Sequence, residues 1–368
     1  MTVRKKLMFV VGTRPEAIKM APIVLMAKQD ARFEPLLVLT SQHREMLDQM
    51  LQVFDLRPNV DLNIMRHDQT LCQVTTAALQ GLYEAVGDLH PDVVLVQGDT
   101  TTTFCGALAA FYRQVKVAHI EAGLRTYDKL QPYPEEVNRC LTTQLTDYHF
   151  APTEGSKRNL LREGIDPAKI WVTGNTAIDA LFLTLERKRQ AGTLPASRSN
   201  RRTLLVTAHR RENHGAPMER ICNALLELLE RHTDLDVLFP VHKSPRVRQV
   251  VLDKLGQHER IELVDPMDYQ HFVQAMHEAY LILTDSGGVQ EEAPSLGKPV
   301  LVLREATERP EAAEAGVARV VGTDQARIVA EASRLLSERK AYDAMAQAMN
   351  PYGDGHAARR ILDALAAA

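Results

Sequence analysis

Residues 280–292 read Tyr-Leu-Ile-Leu-Thr-Asp-Ser-Gly-Gly-Val-Gln-Glu-Glu, an apolar run that breaks at Asp285, passes two glycines and opens a helix. A strand turning through Gly287 and Gly288 into a helix is the unit from which parallel α/β sheets are wound. It also makes an anion site. Glycines let the backbone approach a phosphate, and the amides that open the helix point outward with their dipole. Ser286 adds a hydroxyl at the turn. Glu291 and Glu292 follow one turn later, where they suit hydroxyl groups, as on a ribose, better than phosphate. The segment reads as a holder of a nucleoside diphosphate; an ordinary Gly-rich strand-to-helix turn is the alternative for Ser-Gly-Gly alone.

Outward from this unit, short β-branched or aliphatic runs alternate with longer helical stretches along the whole chain, the signature of α/β architecture with mostly parallel sheets. The pattern makes two rounds. Strands are expected at 7–11, 35–40, 92–97, 116–120, 149–151 and 170–173, then at 203–207, 236–241, 260–264, 280–284, 299–303 and 318–321. Residues 188–202 are polar, contain Gly192 and Pro195, and read as a surface loop near the domain boundary. The expected domains are 1–173 and 174–355. The Ala-rich end, 356–368, reads as a final helix capped by Asp354 or Gly355 that packs back on the first domain.

The 368 residues suffice for about two domains, and the net charge of −3 gives no basic balance that would argue for nucleic acid or an anionic membrane. Leu7 to Val11 is too short for a signal segment and reads as a buried first strand. No run approaches the roughly 20 apolar residues of a membrane helix. Cys72, Cys105, Cys140 and Cys222 are widely spaced with no paired pattern, so a reducing cytoplasm is the expected compartment.

In open parallel sheets, ligands sit beyond the carboxyl ends of the strands, and the polar residues of interest fall at those ends. Val-Gly-Thr-Arg-Pro-Glu-Ala-Ile-Lys (11–19) leaves the first strand through a glycine and starts a helix with an early Pro15. Arg14 and Lys19 are ligand candidates there; capping of a neighbouring helix and simple solvation are their plainer roles. Residues 93–97 end in Gly98-Asp99-Thr-Thr-Thr-Thr, which delivers Asp99 to the mouth of the sheet, where it also suits an N-cap. Glu121 ends a buried strand just before Gly123, a costly place for an unpaired carboxylate. Glu135 opens a helix after two prolines, with Arg139 one turn on, and also complements the helix dipole. Asp99, Glu121 and Glu135 matter jointly, because neighbouring carboxylates separate each other's pKa values into acid and base roles. His209 and Arg210 follow the first strand of the second round, and His242 follows the second, positions for a phosphate or acid-base locus. Arg304 and Arg309 come beside the Ser286 turn, and one of them could neutralise a diphosphate. No metal site is expected: no His-Glu-x-x-His occurs, and His209 and His214 lack a third ligand nearby. Gly-Asp-Gly-His-Ala-Ala (353–358) matches a dinucleotide pattern only loosely, since no strand precedes it.

Together, segments 11–19, 41–46, 97–103, 119–126, 132–139, 207–213, 239–242 and 284–311 resemble, in family order, the non-hydrolysing UDP-N-acetylglucosamine 2-epimerases of bacteria. The resemblance implies a GT-B arrangement of two Rossmann-like α/β/α domains with parallel sheets and an interdomain cleft for the nucleotide sugar, as a homodimer. It implies reversible conversion of UDP-GlcNAc to UDP-ManNAc for surface polysaccharide synthesis, with no cofactor. C2 of the sugar has no adjacent carbonyl to acidify its proton. The implied route is therefore elimination of UDP to a 2-acetamidoglucal and readdition with the opposite configuration. By similarity Asp99, Glu121 and Glu135 are the acid-base groups and His209 faces the scissile phosphate oxygen. Arg14, Lys19 and Arg139 steady sugar and phosphates; Ser286, Gly287, Gly288 and Arg309 hold the diphosphate; Glu292 takes the ribose. Gln42, His43, Arg66, Arg210 and His242 resemble the lining of the family's regulatory UDP-GlcNAc site, with one departure: Ser244-Pro245 stands where Asn-Pro is usual. A hydrolysing relative, a GT-B glycosyltransferase and a non-catalytic nucleotide-sugar sensor are the alternatives this fold allows. Three acids exceed what a retaining transferase requires.

Overall fold

The computed structural model describes residues 4–41, 44–66, 68–194 and 200–368. In chain order the strands are β1 (Lys5–Val11), β2 (Phe33–Leu39), β3 (Val60–Asp61), β4 (Val93–Gln97), β5 (Lys116–Ile120), β6 (Tyr148–Ala151), β7 (Ile170–Val172), β8 (Arg202–Thr207), β9 (Leu235–Pro240), β10 (Ile261–Val264), β11 (Leu281–Thr284), β12 (Val300–Val302) and β13 (Ala318–Val320). The helices are α1 (Arg14–Gln29), α2 (Arg44–Val53), α3 (Leu71–Leu89), α4 (Thr101–Tyr112), α5 (Glu135–Leu145), α6 (Glu154–Arg162), α7 (Thr176–Gln190), α8 (Ala216–Arg231), α9 (Pro245–Leu255), α10 (Tyr269–Glu278), α11 (Gly287–Glu292), α12 (Pro310–Glu314), α13 (Gln325–Ser337), α14 (Arg339–Ala346) and α15 (Ala357–Ala367). The chain divides into two compact units, Met1–Ala180 with Gly353–Ala368, and Leu181–Tyr352.

The first unit is built on a parallel sheet of order β3-β2-β1-β4-β5-β6-β7. Its central strands are mostly apolar because helices cover both faces; β4 is Val-Val-Leu-Val-Gln and fully buried. Alternate residues Met8, Val10, Val94 and Val96 face a core shared with α3 and α4. The second unit repeats the plan with order β10-β9-β8-β11-β12-β13, also parallel. Leu204 and Val206 point into one core while Leu205 points into the other, the period-two alternation of a sheet covered on both sides. In each unit the strand order reverses once, between β1 and β4 and between β8 and β11. Crevices form there beyond the strand ends.

Three local expectations change. β3 was absent from the reading because two residues carry no periodicity; it exists only through pairing with Val38 and Leu39 of β2. The polar stretch 188–202 is not loop throughout: α7 continues to Gln190, its last turn carrying Arg187, Lys188 and Arg189 where cations suit the dipole, and Arg202 already belongs to β8. The final helix is capped by neither Asp354 nor Gly355 directly. His356 is the N-cap residue, and the carboxylate of Asp179 on α7 accepts the amides of Ala357 and Ala358 at 3.2 and 2.9 Å. Asp354 instead accepts the His356 amide at 3.2 Å and pairs with Arg360.

Candidate active site

At the switch point of the first unit, the chain leaving β1 passes Gly12 and Thr13 into α1. A side chain at Gly12 would collide with the hydroxyls of Thr102 and Thr40. Glu16 reaches back to accept the amides of Gly12 and Thr13 at 2.9 and 2.6 Å and the Thr13 hydroxyl at 2.9 Å. Its other oxygen takes the hydroxyls of Thr100 and Thr103 at 2.6 and 3.2 Å. One buried carboxylate thus ties the β1–α1 turn to the β4–α4 turn, and burial lifts its pKa against those hydrogen bonds. Arg14 is exposed at the start of α1.

Asp99 follows the left-handed Gly98 after β4. The cap of α4 is Thr100, whose hydroxyl accepts the Thr103 amide at 3.1 Å, so Asp99 is released from that role. Its carboxylate pairs with Arg139 of α5, while Asn138 donates to its backbone carbonyl at 3.0 Å. Burial raises the Asp99 pKa most, Arg139 opposes, and Glu121 raises it further. Glu121 follows β5 with φ of 65°, a left-handed conformation that costs a non-glycine residue free energy and is common at functional sites. It accepts from Lys19 at 2.5 Å and from the Gln97 side-chain amide. Lys19 is therefore paired in the site rather than solvated. Glu135 opens α5, four residues before Arg139 and on the same helix face, with Oε2 buried and lacking a hydrogen-bond partner among the described residues. Its neighbour Glu136 does the structural work: it accepts the amides of Thr126 and Tyr127 at 3.0 and 2.9 Å and lies 3.1 Å from Arg139.

In the second unit His209 follows β8 and Asp285 follows β11. The buried carboxylate of Asp285 accepts the amides of His209 and Arg210 at 2.7 and 2.8 Å and the side chain of Asn213 at 2.9 Å. Nδ1 of His209 stands 3.0 Å from its other oxygen. The rings of His209 and His242 stack, centroids 5.8 Å apart. Ser286 is the N-cap residue of α11 with its hydroxyl unused for capping, so Ser286, Gly287 and Gly288 present a helix N-terminus. The Arg309 guanidinium lies beside Gly287, held from behind by Glu291. Arg304 is committed elsewhere, to Glu212 at 2.6 Å and Glu308 at 3.1 Å. Among the described residues no three His, Cys, Asp or Glu side chains gather in a way that would hold a metal ion.

The family model described as UDP-N-acetylglucosamine 2-epimerase matches residues 25–366. The chain is 52% identical to the UDP-N-acetylglucosamine 2-epimerase of Salmonella typhimurium, over 98% of each sequence. It is 51% identical to that of Escherichia coli K12, again over 98% of each. The chain belongs to the UDP-N-acetylglucosamine 2-epimerase family. A crystal structure of the Neisseria meningitidis UDP-GlcNAc 2-epimerase bound to UDP-GlcNAc superposes with a TM-score of 0.87 at 46% identity, covering 99% of this chain and 100% of that one. The GT-B-like fold of these epimerases is the fold of this family member.

Within this epimerase-family chain, Lys19 contacts Glu121 and Arg139 contacts Asp99, the two pairs being near enough that the Glu121 and Lys19 charges act on Asp99, while Asp285 and His242 both contact His209. The initial pairing of Glu291 with Glu292 as hydroxyl ligands is corrected: Glu291 is 4% exposed and anchors Arg309, which leaves Glu292, half-buried with its carboxylate near Gly288, as the ribose candidate. Arg66 is exposed and its amide donates to Gln69 at 2.7 Å. Arg210 lies 3.9 Å from Glu308. Gln42 and His43 fall outside the described residues. Sequence reasoning missed Glu16, although Thr-Arg-Pro-Glu (13–16) carries the capping-box pattern that would flag it. It also missed the duties of Gln97, Asn213 and Asp285.

Proposed function

We propose that this protein interconverts UDP-GlcNAc and UDP-ManNAc without hydrolysis, by elimination of UDP to a 2-acetamidoglucal and readdition. The observation that carries the reading is the unlike pair of carboxylates at the first switch point. Asp99 is pushed up by burial and by Glu121, while Glu121 is held by an ammonium and an amide. Two acids in unlike environments are what removal of a proton from C2 and return of a proton to it require. Glu135, with a buried oxygen that lacks a hydrogen-bond partner among the described residues, completes the set. Arg14, Lys19 and Arg139 steady the sugar and phosphates. The second unit retains the leaving group: Ser286, Gly287, Gly288 and Arg309 on the diphosphate, Glu292 on the ribose, His209 on the scissile oxygen.

The same reading makes the protein a homodimer of the cytoplasm that supplies ManNAc for surface polysaccharide. Its four cysteines are all free, which fits a reducing compartment, and among the described residues no helix is long and apolar enough to cross a membrane. It includes a regulatory UDP-GlcNAc site lined by Gln42, His43, Arg66, Arg210 and His242; the stacking of His242 on His209 supports a link from that lining to the catalytic imidazole.

Incubation with UDP-GlcNAc in deuterated water, followed by NMR, tests the reaction. Expected is deuterium at C2 of both sugar nucleotides at equilibrium. Free N-acetylmannosamine with stoichiometric UDP would indicate hydrolysis instead, and absence of exchange at C2 would reduce the protein to a binder.

A further inference from the structure

Asp285 has no part in the reaction as described, yet it is 0% exposed and satisfies three N–H donors through one oxygen, while the other, buried and without a hydrogen bond among the described residues, lies 3.0 Å from Nδ1 of His209. Burial alone would raise its pKa; the contact with His209 and the amides of Arg210 and His209 outweigh burial, and the net displacement is downward. An ionised carboxylate only accepts, so a hydrogen bond closed across that 3.0 Å gap puts the proton on Nδ1 of the imidazole. Nε2 is left as the nitrogen available to a ligand. The stacked ring of His242 blocks one face, so rotation of His209 would break two contacts at once. The nearby charges are Arg210, 3.9 Å from Glu308, and Arg304, bound to Glu212 and Glu308.

From this geometry we infer that Asp285 is a positioning residue: it turns Nδ1–H of His209 toward its carboxylate, so that Nε2 is the nitrogen that gives a proton to the departing UDP. The inference rests on the epimerisation reading above. As the C1–O bond breaks, its electron pair goes to the β-phosphate oxygen, which takes the Nε2 proton, while the C2 proton passes to a carboxylate base. The ring becomes neutral, with a lone pair on Nε2 and Nδ1–H still directed at Asp285. Readdition returns the Nε2 proton to the ring as the oxygen attacks C1.

Asp285→Asn tests this in the full-length protein. The amide oxygen can keep the three N–H donors, which turns the NH₂ toward Nδ1 and forces the ring proton onto Nε2. Expected is a fall in kcat for UDP-GlcNAc on the order of 10²-fold or more, with UDP affinity by calorimetry unchanged and part of kcat restored in Asp285→Glu. Nitrogen-15 histidine NMR of the wild-type protein, with His209 assigned through His209→Gln, is expected to show Nδ1–H and an unprotonated Nε2 in the neutral ring. That spectrum decides the case even where Asp285→Asn does not fold. An Nε2–H ring in the wild type, or undiminished kcat in folded Asp285→Asn, overturns the inference. A wild-type protein with the Nδ1–H ring that does not epimerise UDP-GlcNAc overturns the reaction reading and the proton delivery with it, and leaves the dyad as structure only.

Discussion

Three influences meet at Asp99: burial drives its carboxyl up, the Arg139 guanidinium pulls it down, and the Glu121 charge pushes it up again. Arg139 is the lever among them, since it is 5% exposed and touches both Asp99 and Glu136. In Arg139→Gln most of the downward pull is gone and only that of Lys19 remains, so the Asp99 pKa rises further. Whichever limb of the kcat/KM profile Asp99 governs should then move to higher pH, with activity at neutral pH reduced about tenfold or more. A profile that keeps its limbs, or moves them to lower pH, contradicts this account. At this scale the sequence singled out candidate acids but not their partners. Glu16 shows why: its link back to Thr13 is local and follows a known pattern, whereas Thr100 and Thr103 lie 84 and 87 residues away. Asp285 and Asn213 were both in quoted motifs, yet 72 residues separate them, and nothing in either motif says that they meet.

Elements built from continuous apolar runs were legible because burial on both faces leaves no other reading of Val-Val-Leu-Val or Leu-Ile-Leu-Thr. The two-residue β3 and the cap of α15 were not, because both depend on a neighbour distant in sequence. β5 and β6 hold a further feature that sequence did not flag. His119 and His149 are paired across these strands, 0% and 1% exposed. Nε2 of His119 donates to the Gly98 carbonyl at 2.7 Å and so braces the turn that carries Asp99. Burial depresses the pKa of His119 from 6.5 to about 4. For His149, burial and then His119 and Lys169 depress it from 6.5 to about 3. Above pH 6.5 both rings are neutral in folded and unfolded chains alike. Below it the unfolded chain binds protons that the folded one refuses, so stability is lost as pH falls from about 6.5 toward 4 and 3. At about 1.4 kcal/mol per pKa unit each ring contributes a few kcal/mol. Thermal melts at fixed ionic strength should show Tm falling through that window, and less steeply in His149→Leu. A Tm flat between pH 6.5 and 4 would contradict the neutral buried pair.

For the whole molecule, the two rounds of alternating strands and helices were enough to give two parallel α/β units, because strand count and right-handed crossover leave few other topologies. They did not give the strand order, which places reversals at β1/β4 and β8/β11. That order explains why the candidate residues fall where they do: Arg14 and Asp99 follow β1 and β4, and His209 and Asp285 follow β8 and β11. The two switch points differ in chemistry: the first carries Asp99 and Glu121 against Arg139 and Lys19, the second a helix N-terminus with Arg309 and His209, so on the proposed reading they should respond differently to nucleotide and to sugar. Hydrogen exchange can separate them. UDP alone should slow exchange in 207–213, 285–292 and 303–309 of the second unit and leave 97–103 and 119–139 of the first near their free rates. UDP-GlcNAc should add protection in those first-unit segments, because on the proposed reading only the sugar brings the groups that the carboxylates act on. At ligand concentrations about 100 times Kd, binding adds roughly 2.7 kcal/mol to the stability of the liganded state, ample to register as slowed local opening. Equal protection of both sets of segments by UDP alone would mean that the first unit also binds the nucleotide. The division of labour between leaving-group retention and acid-base chemistry would then have to be redrawn.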